Sequence, residues 1–378
     1  MDYKGNIAID LTGGDTYKNK TIFERALHWT QKAVKEFPEY RFYVSGPGDR
    51  LVDINFPGNV LKISHHPEQK SLDRILEHAD KLQIDAVVTH AKAKEIQEGI
   101  VGNDPDNRRI QPVSGLRRPA LIAIIPTSHR NNYALALDVG ANHWNKPIEI
   151  EQYAHLGTIV SKHLFSLSNP TVAMLNLCEE HNFGPQEYQD LCTKLETDKN
   201  LNFIGFVESR HIFRLVAHKY NQKEQFPDVV ISEGFMGNQF IKTVQDTVKL
   251  MQEVGKQELF YRHIPIISDA FNYTRIGINF ALNLGPLRRI SKRLQPRRYG
   301  GALLGGVRTL DGRDIVFIKG HGEADKGIYH GISRAIRYHS QGVMTKINSE
   351  LEQRLLATDT VKSSARKKAE EKDKAILA

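Results

Sequence analysis

DVVISEGFMGNQFIKT, residues Asp228 to Thr243, reads as a strand that runs into a glycine-bracketed loop and then a helix. Asp228-Val229-Val230-Ile231 has the β-branched run of a strand buried on both faces, and Ile241, Val244, Val248 and Met251 recur at spacings of three and four, as on one helical face. In open α/β sheets, ligands collect beyond the carboxyl ends of strands, where a helix N-terminus presents unpaired N–H groups to an anion. Gly234 and Gly237 permit positive φ and close backbone approach, and Asn238 carries an amide to the mouth of the helix. Two readings stay open on these residues alone: an anion loop, or an ordinary strand-to-helix turn with Asn238 as its N-cap.

Outward from this stretch the same alternation repeats. Asn6 to Leu11 predicts a strand followed by the glycine loop Thr12-Gly13-Gly14-Asp15, and Ile22, Ala26, Trp29, Ala33 and Phe37 predict a helix stopped by Pro38. Tyr40 to Val44 predicts a strand closed by Ser45-Gly46-Pro47-Gly48, with further strands at Asn59 to Ile63, Asp85 to Val88, Leu121 to Ile125, Tyr133 to Val139, Val172 to Leu175 and Asn202 to Phe206. A long helix is expected from Ile148 to Leu167, and Asp311-Gly312 is a hairpin turn between Tyr299-Ala302 and Ile315-Ile318. Alternating strands and helices predict a three-layer α/β/α sandwich around a doubly wound, mostly parallel sheet. Residues 1–356 read as one such domain with an amphipathic basic tip at 260–298, and residues 357–378 as a charged, disordered tail.

Composition agrees with a globular chain: 378 residues, 40% hydrophobic and 25% charged. No stretch has the length and apolarity of a membrane span, and no signal-peptide pattern opens the chain, so a cytoplasmic location is expected. The two cysteines cannot build a disulfide framework, and no Cys/His group has zinc-ligand spacing; His65, His66, His90 and His321 form no ligand set, so neither a metal nor a cofactor is expected. The net charge of +8 is concentrated at Arg288, Arg289, Lys292, Arg293, Arg297 and Arg298, a local basic face suited to an acidic partner. No nucleic-acid recognition motif accompanies it.

Four predicted strand ends finish in small or glycine-containing loops with a polar residue: Gly13-Gly14-Asp15, Gly140-Ala141-Asn142, Gly234 to Asn238, and His321-Gly322. Together they suggest one shared crevice suited to an anion. The chain has no Walker A loop, no G-x-G-x-x-G after its first strand and no G-x-S-x-G elbow, which disfavours a nucleotide site and a covalent acyl-enzyme. Direct transfer to a bound phosphate fits better.

These residues carry a resemblance to the bacterial phosphate acyltransferase family known as PlsX. It rests on Ala8-Ile9-Asp10-Leu11-Thr12-Gly13-Gly14-Asp15, Arg118-Pro119-Ala120-Leu121, Pro126-Thr127, Leu137-Asp138-Val139-Gly140-Ala141-Asn142, Gln152-Tyr153-Ala154, Asn202-Phe203-Ile204-Gly205, Glu233-Gly234-Phe235 with Gly237-Asn238, Tyr299-Gly300-Gly301-Ala302 and His321-Gly322. The resemblance implies a fold related to isocitrate and isopropylmalate dehydrogenases, a homodimer, and transfer of a long-chain acyl group from acyl carrier protein to inorganic phosphate for phospholipid synthesis. It places the family's active-site asparagine on Asn238, and His321 is the candidate acid for the leaving thiol, against a hydrogen-bonded structural histidine.

Two departures accompany it. The family's glycine-rich loop after the fourth strand is replaced by Thr89-His90-Ala91-Lys92-Ala93-Lys94-Glu95, and the family's active-site lysine falls on Phe183. Either Lys92 or Lys94 supplies the missing charge, or the chain is a non-catalytic binding or scaffolding relative; a short-chain acyl-coenzyme A phosphate acyltransferase is a further alternative. For Arg288, Arg289, Lys292 and Arg293 the resemblance implies contact with acyl carrier protein or peripheral attachment to an anionic membrane, against a dimer interface with a solvated basic flank.

Overall fold

The computed structural model describes residues 2–11, 20–65, 71–91, 95–96, 109–127, 133–212, 226–261, 301–320 and 327–357. Among the described residues, eleven strands form one sheet in the order β3-β2-β1-β4-β13-β11-β6-β7-β10-β8-β9. These are β1 (Asn6–Asp10), β2 (Arg41–Pro47), β3 (Val60–His65), β4 (Ala86–Thr89), β6 (Ala120–Pro126), β7 (Tyr133–Leu137), β8 (Thr171–Leu175), β9 (Asn202–Val207), β10 (Val229–Ile231), β11 (Ala302–Gly305) and β13 (Val316–Lys319). A separate ribbon pairs β5 (Ile110–Pro112) with β12 (Val307–Thr309), joined to the rest by the turn at Gly312.

Side chains alternate across the sheet as a two-residue period requires. Ile7, Ile9, Ala86 and Val88 enter one core, and Ala8 and Val87 the other. The first core is covered by α1 (Lys20–Glu36), α4 (Pro147–Phe165), α5 (Gln186–Thr197), α7 (Gly327–Ser340) and the 343–357 helix. The second lies under α3 (Ser71–Glu77) and α6 (Gly234–Tyr261). Each fully buried Ile, Val or Phe contributes about 1.5–3 kcal/mol over its exposed state, so both sides of the sheet need a helical layer. The result is the three-layer α/β/α sandwich. A short helix, α2 (Gly48–Leu51), follows β2, which runs on through Ser45-Gly46-Pro47 instead of stopping at Val44, because its pairing with β3 continues to Pro47 opposite His65.

The directions of the strands decide where sites can form. β3, β2, β1, β4 and β13 are parallel, and so are β7, β10, β8 and β9. Between these blocks β11 is antiparallel to both neighbours, and β6 is antiparallel to β7. An odd number of reversals, three, therefore points the two blocks in opposite directions. The carboxyl ends of β7, β10, β8 and β9 lie on one long edge, and those of β1, β4 and β13 on the other. The described strand ends that lead to the four expected loops do not all sit on one edge: Asp138-Asn142 and Gly234-Asn238 share one, while Leu11 and Gly320 end on the opposite one, and residues 12–15 and 321–322 lie outside the described residues.

Helix α4 packs directly on β10. At Gly157 an added Cβ would lie 2.4 Å from Val229 Cγ1, so only glycine lets the helix approach this closely. That contact fixes the height of β10 in the sheet, and with it the origin of α6.

Candidate functional site

The site is built from the turn after β7 and the start of α6. Asp138 is fully buried, and its carboxylate organises the turn. Its Oδ1 accepts N–H bonds from Leu121 (2.9 Å), Gly140 (3.1 Å) and Ala141 (2.8 Å). Its Oδ2 accepts the backbone N–H and the side-chain amide of Asn142, both at 2.8 Å. Burial nevertheless pushes this carboxyl up to about 6. Gly140 turns the chain at φ +110, a conformation that a side chain would strain.

Helix α6 then docks on this turn by means of its glycines. A Cβ at Gly234 would lie 1.8 Å from the Asn142 carbonyl oxygen, and one at Gly237 would lie 1.9 Å from that of Asp138. Neither glycine has positive φ; the requirement is close approach alone. The stretch Gly234 to Gly237 is the first turn of the helix, not a loop before it.

The N–H groups of that turn are already occupied. Gly234 N–H donates to Asn145 Oδ1 (2.9 Å), and Phe235 N–H to the His143 carbonyl (3.2 Å) and Glu233 Oε2 (3.3 Å). Met236 N–H donates to Glu233 Oε1 (2.8 Å), and Gly237 N–H to the Glu233 carbonyl (2.9 Å). The buried Glu233 thus places its own carboxylate where an anionic ligand was expected, which corrects both the open anion loop and the reading of Asn238 as N-cap. Gly234 and Gly237 position the helix and offer no free donor.

The two asparagines separate clearly. Asn142 is buried, and its amide lies within hydrogen-bond distance of Asp138 Oδ2 (2.8 Å), the Pro119 carbonyl (3.0 Å) and Tyr153 Oη (3.0 Å). With only two amide hydrogens facing three acceptors, its N–H groups are engaged in locking the turn. Asn238 is half-buried, one turn into α6, and its Cγ would lie 3.2 Å from a Cβ on Gly140. Its amide makes no hydrogen bond among the described residues.

Further residues at this edge were not among the candidate site residues, although Arg118, Tyr153 and Phe235 lie in the stretches that carry the resemblance. Tyr153 is fully buried and accepts from the amides of Asn142 and Asn145 (2.9 Å); burial holds its phenol well above the usual range, reinforced by the charges of Asp138 and Glu149. Arg118 is half-exposed, with Nε 3.6 Å from Glu149 Oε1. Trp144 and Phe235, 72% and 52% exposed, stack with centroids 5.9 Å apart and form an aromatic shelf beside the start of α6. Phe183 is exposed on the 176–184 loop, which Asn176 closes by donating to the Phe183 carbonyl (3.1 Å).

Gly13, Gly14, Asp15, Lys92, Lys94, His321, Arg288, Arg289, Lys292 and Arg293 lie outside the described residues, as do the 262–300 segment of the expected basic tip and the 358–378 part of the tail.

A mostly parallel sheet with reversed central strands, covered by helices on both faces, is the fold of known phosphotransacylases. A branched-chain phosphotransacylase from Enterococcus faecalis aligns over 88% of this chain and 98% of its own with a TM-score of 0.51 at 13% identity. A phosphotransacetylase from Streptococcus pyogenes aligns over 88% and 95% with a TM-score of 0.52 at 12% identity. The sequence is more specific. Residues 106–346 match the model of the fatty acid synthesis protein family, and the chain belongs to that family. Among its relatives are phosphate acyltransferases of Pseudoalteromonas atlantica, 27% identical over 93% of this chain and 98% of that protein, and of Clostridium novyi, 27% identical over 93% and 99%.

Proposed function

We propose that the chain is a phosphate acyltransferase that moves a long-chain acyl group from acyl carrier protein to inorganic phosphate, with Asn238 as the amide that meets the reacting atoms. A phosphate oxygen attacks the thioester carbonyl carbon, and the carbonyl electron pair moves onto oxygen. Collapse of this intermediate breaks the C–S bond, leaving acyl phosphate and a thiol once the thiolate takes a proton. The single observation that carries the reading is the half-buried amide of Asn238, which packs over Gly140 and makes no hydrogen bond among the described residues. A positioned amide N–H that binds the developing oxyanion accounts for roughly a hundred- to thousandfold in rate. The exposed Trp144–Phe235 shelf offers apolar surface for the acyl chain.

With Phe183 replacing the family's lysine, the cation for phosphate falls to Arg118, which is on the Asn238 edge, ahead of Lys92 or Lys94, because β4 ends on the opposite edge. Phosphate titration of the acyl transfer rate tests this: Arg118→Gln raises the phosphate KM, whereas Lys92→Ala with Lys94→Ala does not. The reverse outcome removes Arg118 from the site. Phe183 and the occupied helix N-terminus favour one second reading, a non-catalytic relative that binds acyl carrier protein. Binding of acyl-acyl carrier protein without phosphate-dependent turnover would select it.

Homodimer formation and attachment to anionic membrane through Arg288, Arg289, Lys292 and Arg293 belong to the same proposal. No helix among the described residues is long and apolar enough to cross a membrane. Liposome flotation that ignores both lipid charge and loss of Arg288 and Arg289 would remove the membrane contact.

A further inference from the structure

The 176–184 loop carries Phe183, and its far side meets α5 at a second group of reactive side chains. Cys192 and Glu196 stand four residues apart on α5, and so project from the same face of the helix. His181 lies over both: its Nδ1 is 3.7 Å from Cys192 Sγ, and its Nε2 is 3.0 Å from Glu196 Oε1. One ligand atom from each residue can be chosen so that all three lie within 4.8 Å of one another. Ligand atoms around a tetrahedral zinc ion are about 3.5 Å apart, so movements of roughly 1 Å close the set. No spacing rule flags His181, Cys192 and Glu196 together, because the histidine reaches the helix only through the fold of its loop.

The same three residues also resemble a thiol–imidazole–carboxylate relay. That chemistry needs an accessible thiolate. Cys192 is fully buried, and burial together with the Glu196 charge pushes its thiol up to about 12. Access belongs to the other two groups, since the His181 and Glu196 side chains are each more than a third exposed. The thiol forms the floor and the imidazole and carboxylate the rim, which suits an ion arriving from solvent and not a substrate.

We propose that His181, Cys192 and Glu196 form a binding site for a thiophilic divalent cation of the zinc class, coordinated through one imidazole nitrogen, the thiolate and a carboxylate oxygen, with a fourth position open to water. Binding displaces the thiol proton to solvent, so affinity rises with pH. The cation links the 176–184 loop to α5. That loop is also tied to the turn after β9 by a hydrogen bond between Glu179 and the His211 ring.

Cobalt(II) titration of the full-length, chelator-treated protein tests the site, with zinc(II) as competitor. The wild type binds one cobalt per chain with a sulfur-to-cobalt charge-transfer band, and zinc abolishes the band. Cys192→Ser removes the band, whereas Cys178→Ser, which changes the only other cysteine, keeps it. His181→Ala and Glu196→Gln, at half-exposed positions, weaken binding about tenfold or more, which keeps the test decisive even where Cys192→Ser perturbs folding. Absence of cobalt binding by the wild type, a band that survives Cys192→Ser, or equal affinity in His181→Ala and Glu196→Gln overturns the proposal.

Discussion

Replacing Glu233 by alanine tests whether the protein fills its own anion position. The carboxylate accepts from Phe235 and Met236, but Phe235 also donates to the His143 carbonyl, so only the Met236 N–H is left without an acceptor. Loss of a helix cap costs about 1 kcal/mol, and loss of negative charge beside the positive end of the helix about 0.5–1 kcal/mol more. The variant should therefore lose about 1.5–2 kcal/mol. Glu233→Gln keeps an oxygen for Met236 and loses the charge, so it should lose about half as much. Urea denaturation followed by circular dichroism measures both as midpoint shifts at constant slope. The vacated helix start should then accept inorganic phosphate: at a hundredfold excess over its dissociation constant, a ligand specific to the folded state restores about 2.7 kcal/mol. The alanine variant should gain more from phosphate than the wild type does. A loss below about 0.5 kcal/mol, or equal phosphate stabilisation of both proteins, would refute the occupied helix start.

Gly237→Ala forces a Cβ against the Asp138 carbonyl and should cost about 3 kcal/mol or more, whereas Gly58→Ala, where a Cβ meets nothing within 4 Å, should be neutral or slightly stabilising; thermal melts of the two variants compare them directly. Asn142→Ala strips donors from a buried carboxylate and should cost about 1–3 kcal/mol in urea denaturation, while Asn238→Ala should change stability by less than about 0.5 kcal/mol. Asp198 is held down at about 2, chiefly by the His155 ring, whose Nε2 lies 3.2 Å from Oδ2. Its folded value is lower than its unfolded one, so its stabilisation is present above about pH 4 and is lost as pH falls towards 2. Asp198→Asn should flatten the acid limb of the stability profile in that window, and an unchanged limb would remove the pair as its source.

The β-branched run at Val229 to Ile231 and the helical period beyond it were legible because local patterns encode them. The direction of neighbouring strands is not encoded that way. Nothing in Ala302 to Gly305 or Ala120 to Pro126 states which way each runs, yet those reversals set the carboxyl ends of β1 and β13 on the edge opposite those of β7 and β10. Of the two reasons for Gly234 and Gly237, close backbone approach holds and positive φ does not: both glycines admit a neighbouring backbone. Glutamate is not a favoured cap, so Glu233 gave no warning that it would occupy the start of α6. Asn142 and Asn238 look alike in sequence as amides beside glycines. Only the hydrogen bonds to Asp138, Pro119 and Tyr153 show that the first is consumed by the turn.

The most direct test of the account follows the transfer itself. Purified protein is incubated with long-chain acyl-acyl carrier protein and inorganic phosphate, and acyl phosphate is trapped with hydroxylamine as the hydroxamate. The account predicts phosphate-dependent hydroxamate from the wild type and a loss of about a hundredfold or more in a folded Asn238→Ala variant. Wild-type protein that forms hydroxamate no faster than buffer, or an Asn238→Ala variant as active as the wild type, would contradict it.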